Sequence, residues 1–230
     1  MKWRGGRRSS NIEDRRGARG PKLLGGGIGT IAIILVALYL GVDPTPLLDA
    51  TQGGGSSAGT RPTADDLRND PLADMVSVVV ADTEDVWTEL FAAQGRTYKL
   101  PALVLFSGST RSACGLGQAA MGPFYCPADQ KAYIDLGFYD QLRTRFQAPG
   151  DFAQAYVIAH EIGHHVQNLL GISGRVHQMK QRVGQAESNM LSVRLELQAD
   201  CLAGVWAHRA HKARNIIEAG DVEEALNAAS

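Results

Sequence analysis

The sequence predicts an α+β domain, with a small β-sheet on one side and two long helices on the other, preceded by one transmembrane helix. Two short apolar runs between turn-forming residues, 101–107 and 131–136, predict strands of the sheet. Apolar residues at helical spacing predict the long helices over 151–170 and 187–213. A charge-free run over 23–42 predicts the transmembrane helix. The composition, with 44% hydrophobic residues in a chain of 230, is that of a folded protein.

The N-terminal region combines a basic stretch with the apolar run. Residues 1–22 hold eight of the 23 Lys and Arg residues but two of the 24 acids. The run over 23–42 matches the length of helix that spans a bilayer core. Basic residues before the span and none close behind it predict a cytoplasmic tail over 1–22 and a domain outside the cytoplasm. A cleaved signal peptide is the alternative, although its apolar run is normally shorter and ends at small residues.

Residues 43–70 are predicted to be a flexible linker, and residues 71–230 the folded domain. The linker contains three prolines and a Gly- and Ser-rich run at 53–59, and such a composition buries little surface. Further helices are predicted over 74–91, 138–146 and 221–228, a loop over 112–127, and a looser stretch around Gly174 and Gly184.

The three cysteines fit a domain outside the cytoplasm. Cys114 and Cys126 lie in the same Gly- and Pro-rich stretch and are able to form a disulfide in an oxidising compartment. Cys201 lies between apolar neighbours of a predicted helix, so we expect it to be a small buried residue. Because no C-x-x-C pair is present, the sequence argues against a cysteine-based zinc site.

The strongest chemical signal is an H-E-x-x-H pattern, His160-Glu161-Ile162-Gly163-His164, inside a predicted helix. Residues four apart lie one above the other on the same helix face, so the two imidazoles can hold one zinc ion. The glutamate that follows the first histidine projects beside the metal. It is therefore placed to take a proton from zinc-bound water, whose pKa the metal lowers toward about 7.

A catalytic zinc needs a third protein ligand and one open position. Glu196 is the preferred candidate because it shares a helix face with Asp200, four residues further on. Asp200 would then accept the free N–H of a ligand histidine and set its tautomer. Asp200 itself and His177 remain as alternative third ligands, whereas His165 points about 100° away from His164 around the helix.

Several segments together resemble the family of neutral zinc metallopeptidases. The segments are DTEDVW at 82–87, SACG at 112–115, GPFYCP at 122–127, YIDL at 133–136, AYVIAHE at 155–161 and ELQADC at 196–201. The resemblance implies a membrane-anchored, zincin-like peptidase with one zinc ion per chain. A more distant similarity to gluzincins, whose third ligand is the Glu of an E-x-x-x-D motif, maps onto Glu196 and Asp200. Because the family pattern continues past Ser230, we expect this chain to be shortened at its C-terminus.

The function expected from these observations is zinc-dependent hydrolysis of a peptide or protein substrate, with Glu161 as general base. The predicted strand 131–136 would pair with an extended substrate, and Tyr125, Tyr156 and His177 are candidates for the oxyanion stabiliser. The alternative is a non-catalytic envelope protein in which zinc is structural. Nucleic-acid binding is not expected, since lipid headgroups account for basic residues next to a membrane span.

Overall fold

The computed structural model describes residues 1–16, 61–139, 142 and 150–229. The predicted transmembrane helix over 23–42, most of the predicted linker and most of the predicted helix over 138–146 lie outside these residues. Within the described ranges, no helix is both long and apolar enough to cross a membrane. Membrane attachment through 23–42 therefore stays a prediction.

The described residues form an α+β domain, which confirms the predicted class. In chain order its elements are β1 (Ile12–Asp14), α1 (Ala64–Arg68), α2 (Pro71–Ala92), β2 (Ala102–Phe106), β3 (Ser109–Ser112), β4 (Gly115–Gln118), a short 3₁₀ turn (Ala119–Met121), β5 (Phe124–Cys126), β6 (Lys131–Asp135), α3 (Asp151–Leu169), α4 (Ile172–Lys180), α5 (Gln185–Arg214) and α6 (Asp221–Ala229).

The main sheet has the strand order β1–β2–β6–β5. Strands β1, β2 and β6 are parallel, and β5 runs antiparallel to β6 at one edge. The predicted strands 101–107 and 131–136 are the two central strands, and their apolar residues are buried, as expected for parallel strands covered on both faces. The predicted loop over 112–127 instead contains β5 and much of the separate β3–β4 hairpin.

Helix α2 lies in the core of the domain. It begins at Pro71, and the Asp70 side chain caps it by accepting hydrogen bonds from the backbone N–H groups of Leu72 and Ala73. Its middle, Val78 to Val80, has no solvent exposure. A helix that is apolar around most of its circumference belongs in an interior, and α2 packs against both α3 and α5.

The two long predicted helices are α3 and α5, which pack against each other. Helix α3 ends where Gly171 adopts a left-handed conformation, with φ of +71°, which glycine adopts without steric cost. The stretch around Gly174, which we expected to be irregular, continues as the short helix α4. This helix lies beside α5, with Lys180 Nζ donating to Ser192 Oγ at 2.6 Å.

Residues 1–16 pack onto the domain, and this differs from the predicted basic tail. Ile12 is buried, and β1 extends the sheet beside β2. The arginines pair with acids of the domain, as Arg8 does with Asp74, which leaves less of the basic charge free for lipid. The end of the predicted linker also differs, because 64–68 form helix α1 with Thr63 as its N-cap.

Candidate metal centre

Three potential metal ligands converge where α3 passes α5. His160 and His164 lie one turn apart on α3, and Glu196 faces them from α5. The Oε2 atom of Glu196 lies 3.3 Å from Nε2 of His160 and 3.3 Å from Nε2 of His164. The structure thus brings together the two histidines of the motif and the glutamate that the sequence analysis preferred.

These distances fit one tetrahedral zinc ion. Ligands about 2.0–2.1 Å from zinc in a tetrahedral site are about 3.3 Å apart from one another. Two imidazoles and one carboxylate are also a donor set of catalytic zinc sites, which keep their fourth position for water or substrate. The residues present therefore fit zinc.

Gly163 allows the two helices to approach closely enough for this geometry. A Cβ atom on Gly163 would lie 2.9 Å from the carbonyl oxygen of Ala199 and 3.2 Å from its Cα. The facing side of α5 is lined at helical spacing by buried residues, which are Ala199, Ala203, Trp206 and Ala210. The glycine between the two histidines is thus a packing requirement, and it brings Glu196 within reach of them.

His160 is held from its far side by Asp200. The imidazole Nδ1 lies 2.7 Å from Oδ1 of Asp200, so Nδ1 carries the proton and Nε2 faces the other ligands. The hydroxyl of Tyr156 also donates to Asp200 Oδ1. Asp200 therefore occupies the orienting position that the sequence analysis assigned to it, and Tyr156 is engaged with Asp200 rather than free to act on a substrate.

His164 is held by a residue that the sequence analysis did not single out. Its Nδ1 lies 2.9 Å from Oε1 of Gln167, which is fully buried. The only sequence signal is spacing, because a residue three positions after a ligand lies on the same side of the helix. An amide at that position has many other uses, so the pattern alone did not identify it.

Negative charge dominates the electrostatics of the ligand group. Burial alone would lower the pKa of His160, but hydrogen bonding to Glu196 and the charge of Glu161 outweigh it and raise the pKa to about 9. The pKa of His164 is also raised, since Glu196 and Glu161 outweigh its burial. The hydrogen bonds with His160 and His164 in turn lower the pKa of Glu196. Three carboxylates near two imidazoles favour the binding of a cation at this position.

Glu161 lies on the neighbouring side of α3, toward the sheet. Its side chain is buried, and burial raises its pKa, although the nearby His164 and His160 counteract that shift. The nearby backbone N–H of Tyr125 on β5 also opposes the rise in this pKa. A buried carboxylate with a raised pKa next to a ligand group suits proton transfer near neutral pH.

His165 has a different role from the histidine before it. It is fully buried, and its Nε2 donates to the carbonyl of Lys99 at 2.7 Å. Its Nδ1 accepts from the Tyr125 hydroxyl at 2.9 Å. Burial lowers the pKa of His165 to about 4. It is a neutral structural histidine that connects the loop before β2 to the Tyr125 hydroxyl on β5.

The remaining sequence candidates lie elsewhere. His177 is on α4, where its Nε2 is 3.0 Å from the side-chain nitrogen of Gln181, and it is not in the ligand group. Cys114 and Cys126 form a disulfide, which ties the β3–β4 turn to β5. Cys201 is exposed on α5, contrary to the expectation that it is buried.

A second cluster of possible metal ligands within the described residues consists of carboxylates alone and differs from the His160, His164 and Glu196 group. Asp151, Asp221 and Glu224 lie within 4.8 Å of one another. The amino group of Met1 contacts Asp151 and Asp221 there. These carboxylates have an ammonium partner and no imidazole, so we interpret them as an ion-pair cluster that joins the two ends of the described chain.

The fold and the site together define a mixed α+β protein with an H-E-x-x-H motif that a glutamate completes to a candidate metal centre. The chain belongs to the family described as "Putative neutral zinc metallopeptidase", which matches residues 1–230.

Curated relatives agree with this assignment to a family. The uncharacterised protein YpfJ of Escherichia coli K12 is 49% identical over 239 residues, which cover 100% of this chain and 82% of YpfJ. The uncharacterised protein Rv2575 of Mycobacterium tuberculosis H37Rv is 42% identical over 184 residues, or 76% of this chain and 59% of Rv2575. No solved structure matches the chain.

Proposed function

We propose that this protein hydrolyses peptide bonds, with one zinc ion held by His160, His164 and Glu196 and with Glu161 as general base. The observation that carries the proposal is the convergence of three donor atoms, in which Oε2 of Glu196 lies 3.3 Å from Nε2 of His160 and 3.3 Å from Nε2 of His164. A buried carboxylate follows the first ligand in the chain. The family to which the chain belongs supports the same chemistry.

The residues divide the chemistry between them. Zinc, when bound, supplies Lewis acidity that lowers the pKa of water toward about 7 and polarises a carbonyl. Glu161 accepts a proton from the attacking water and delivers it to the leaving amine. Its raised pKa favours both steps near neutral pH, since a carboxylate that is too weak a base would not accept the proton.

The sheet edge next to the ligands is the proposed binding place for an extended substrate. The sequence analysis favoured the strand at 131–136, but β6 lies between β2 and β5 and has no free edge. Strand β5 is the edge strand of the main sheet on that side. Strand β5 packs against α3, the helix that carries Glu161, and the Tyr125 hydroxyl on β5 contacts His165 of that helix. A peptide that pairs with β5 would lie beside the proposed zinc ion.

The test is zinc content together with cleavage of an unfolded protein substrate. Wild-type protein should hold one zinc ion per chain and cleave the substrate. The Glu161→Gln variant should retain zinc and lose most of the cleavage, because the amide cannot accept the water proton. Glu161→Gln protein with wild-type cleavage would refute the role of Glu161. Wild-type protein with zinc but without cleavage would favour the non-catalytic alternative.

A further inference from the structure

We propose that Gln167 positions two of the three metal ligands at once. This proposal rests on the zinc site proposed above. Gln167 is fully buried between α3 and α5. Its Oε1 accepts from His164 Nδ1 at 2.9 Å. Its Nε2 donates to the backbone carbonyl of Leu195 at 2.7 Å and to Oε1 of Gln198 at 3.1 Å. Leu195 immediately precedes the ligand Glu196.

The hydrogen-bond pattern determines which way the amide points. The backbone carbonyl of Leu195 can only accept, so an exchanged Gln167 amide would place its oxygen against that oxygen. Gln167 Oε1 therefore faces His164 Nδ1, and that nitrogen must carry the proton. Nε2 of His164 is left with its lone pair directed toward Glu196 and the metal position.

Gln167 also sets the distance between the helices at the ligands. One side chain connects a ligand on α3 to the backbone next to a ligand on α5, in the turn adjacent to the close contact at Gly163. The two histidines thus have different supports. Asp200, an anion, holds His160, whereas a neutral amide holds His164 and adds no charge to the group.

The experiment compares two apolar replacements of neighbouring amides in the whole 230-residue chain. Gln167→Met removes all three hydrogen bonds at similar length. Asn168→Leu is the matched control, since Asn168 donates to the Tyr125 hydroxyl, which contacts His165 and not a metal ligand. Zinc affinity is measured by competition with a chelator, and Co²⁺ absorption spectra report the ligand geometry.

We expect Gln167→Met to lower zinc affinity about 10- to 100-fold and to change the Co²⁺ spectrum, as loss of an outer hydrogen-bond partner does. Asn168→Leu should change neither. Should Gln167→Met not fold, Gln167→Asn keeps an amide that is one methylene too short to reach both helices, and it should weaken zinc binding in the same direction. Unchanged affinity in the folded variant would overturn the proposal. Because the measurement is metal affinity, an inactive but zinc-binding wild type would refute the peptidase proposal alone.

We infer, from separate observations, that residues 1–16 are an integral part of the catalytic domain and lie in the same compartment as that domain. We call these residues the N-terminal arm. Its strand β1 pairs with β2 in register, with Ile12 opposite Leu103. The backbone N–H of Lys2 donates to the carbonyl of Ile216, and that of Ser9 to the carbonyl of Ser77. The arm therefore contacts the domain along its whole length.

Buried acids of α2 depend on the arm for their partners. The Glu84 side chain is 4% exposed and accepts hydrogen bonds from Ser9 Oγ, Asn11 Nδ2 and Arg7 Nη2. Asp74 accepts two hydrogen bonds from the guanidinium of Arg8. Without the arm these carboxylates would lose those donors, which is costly for buried charges.

This packing constrains how the chain relates to a membrane. A helix over 23–42 that crossed a bilayer once would place the arm and residues 61–229 on opposite faces. Contacts such as the β1–β2 ladder could not then form within one molecule. A cytoplasmic arm with an external domain and the observed packing are thus mutually exclusive, and we infer that the packing holds in the cell.

The first experiment tests the packing in purified full-length protein by charge reversal. Arg8→Asp should lower Tm by about 5 °C or more, because it places two carboxylates together. Arg8→Asp combined with Asp74→Arg should recover most of that loss. The control is Lys2→Glu, which reverses an exposed charge of the same arm and should have little effect. Equal losses in the single and double variants would contradict the pairing.

The second experiment tests the compartment in intact cells. A protease site is inserted within 53–59 in a Cys201→Ser background, and cysteines replace Ile12 and Leu103. After oxidation and cleavage, the two fragments should stay linked without reductant. The control replaces Ile12 and Ala132, which lies one strand further at about 10 Å, beyond disulfide reach. If the two fragments are linked no more than in the control, the inference is overturned. Labelling that finds the arm and the domain on opposite sides of the membrane would also overturn it.

Discussion

Two adjacent histidines on α3 show how one helix serves two regions of the molecule. His164 faces α5, where its Nε2 joins the ligand group and its pKa is raised. His165 faces the sheet side, where it is fully buried and its pKa is lowered to about 4. The residue type is the same, but carboxylates lie near one imidazole, whereas the other is bonded to a backbone carbonyl and a tyrosine hydroxyl. The comparison shows that the surroundings, and not the residue type, determine which histidine belongs to the candidate metal centre.

The largest expected effect is a difference in zinc affinity between substitutions of His164 and of His165. His164→Gln should lower zinc affinity more than about 100-fold, the upper end for changes outside the ligand set, and change the stability of the metal-free protein little. His165→Gln should do the reverse, because one amide cannot satisfy both Lys99 and Tyr125. Chelator competition and urea unfolding measure the two quantities. Equal zinc loss in both variants would contradict the division of roles.

Acid should destabilise the protein through His165. Its pKa is about 4 in the folded state and about 6.5 in the unfolded state, so the unfolded state binds more protons between these values. The free energy of unfolding should therefore fall by about 3 kcal/mol as pH drops from 6.5 to 4.

The contribution of His165 is isolated by comparing wild type with His165→Gln, both without metal. Urea unfolding from pH 4 to 7 should show a shallower pH dependence in the variant. Other titrating groups, including the metal ligands, contribute equally to both proteins. The same pH dependence in both would show that His165 does not take part.

A smaller effect tests the close approach of the two helices. Gly163→Ala should destabilise the protein by about 1–3 kcal/mol, because its methyl group meets the backbone of Ala199. It should also weaken zinc binding, since α5 carries Glu196. Gly204→Ala, in the same pair of helices, is the control. Its added Cβ has no atom within 4 Å, so it should stabilise by about 0.5–1 kcal/mol. Thermal unfolding and chelator competition distinguish the two variants.

Much of the domain follows from local patterns in the sequence. Apolar spacing predicted both long helices and both central strands within a few residues, because each element buries one side or both sides of a regular structure. The elements that were missed are short or polar. Strand β1 has three residues, Ile12 to Asp14, and it is recognisable as a strand through its backbone pairing with β2. The hairpin β3–β4 has a burial pattern too weak to predict it.

By itself, the sequence determined the helix face that carries His160 and His164, because helical spacing is a property of the backbone. It also pointed to Glu196 and Asp200 through their own helical spacing. Only the tertiary structure decided the rest. The approach of α5 at Gly163, the amide of Gln167 between two helices, and the packing of residues 1–16 on α2 all join segments far apart in the chain. Such contacts depend on the shapes of both partners, and no local pattern records them.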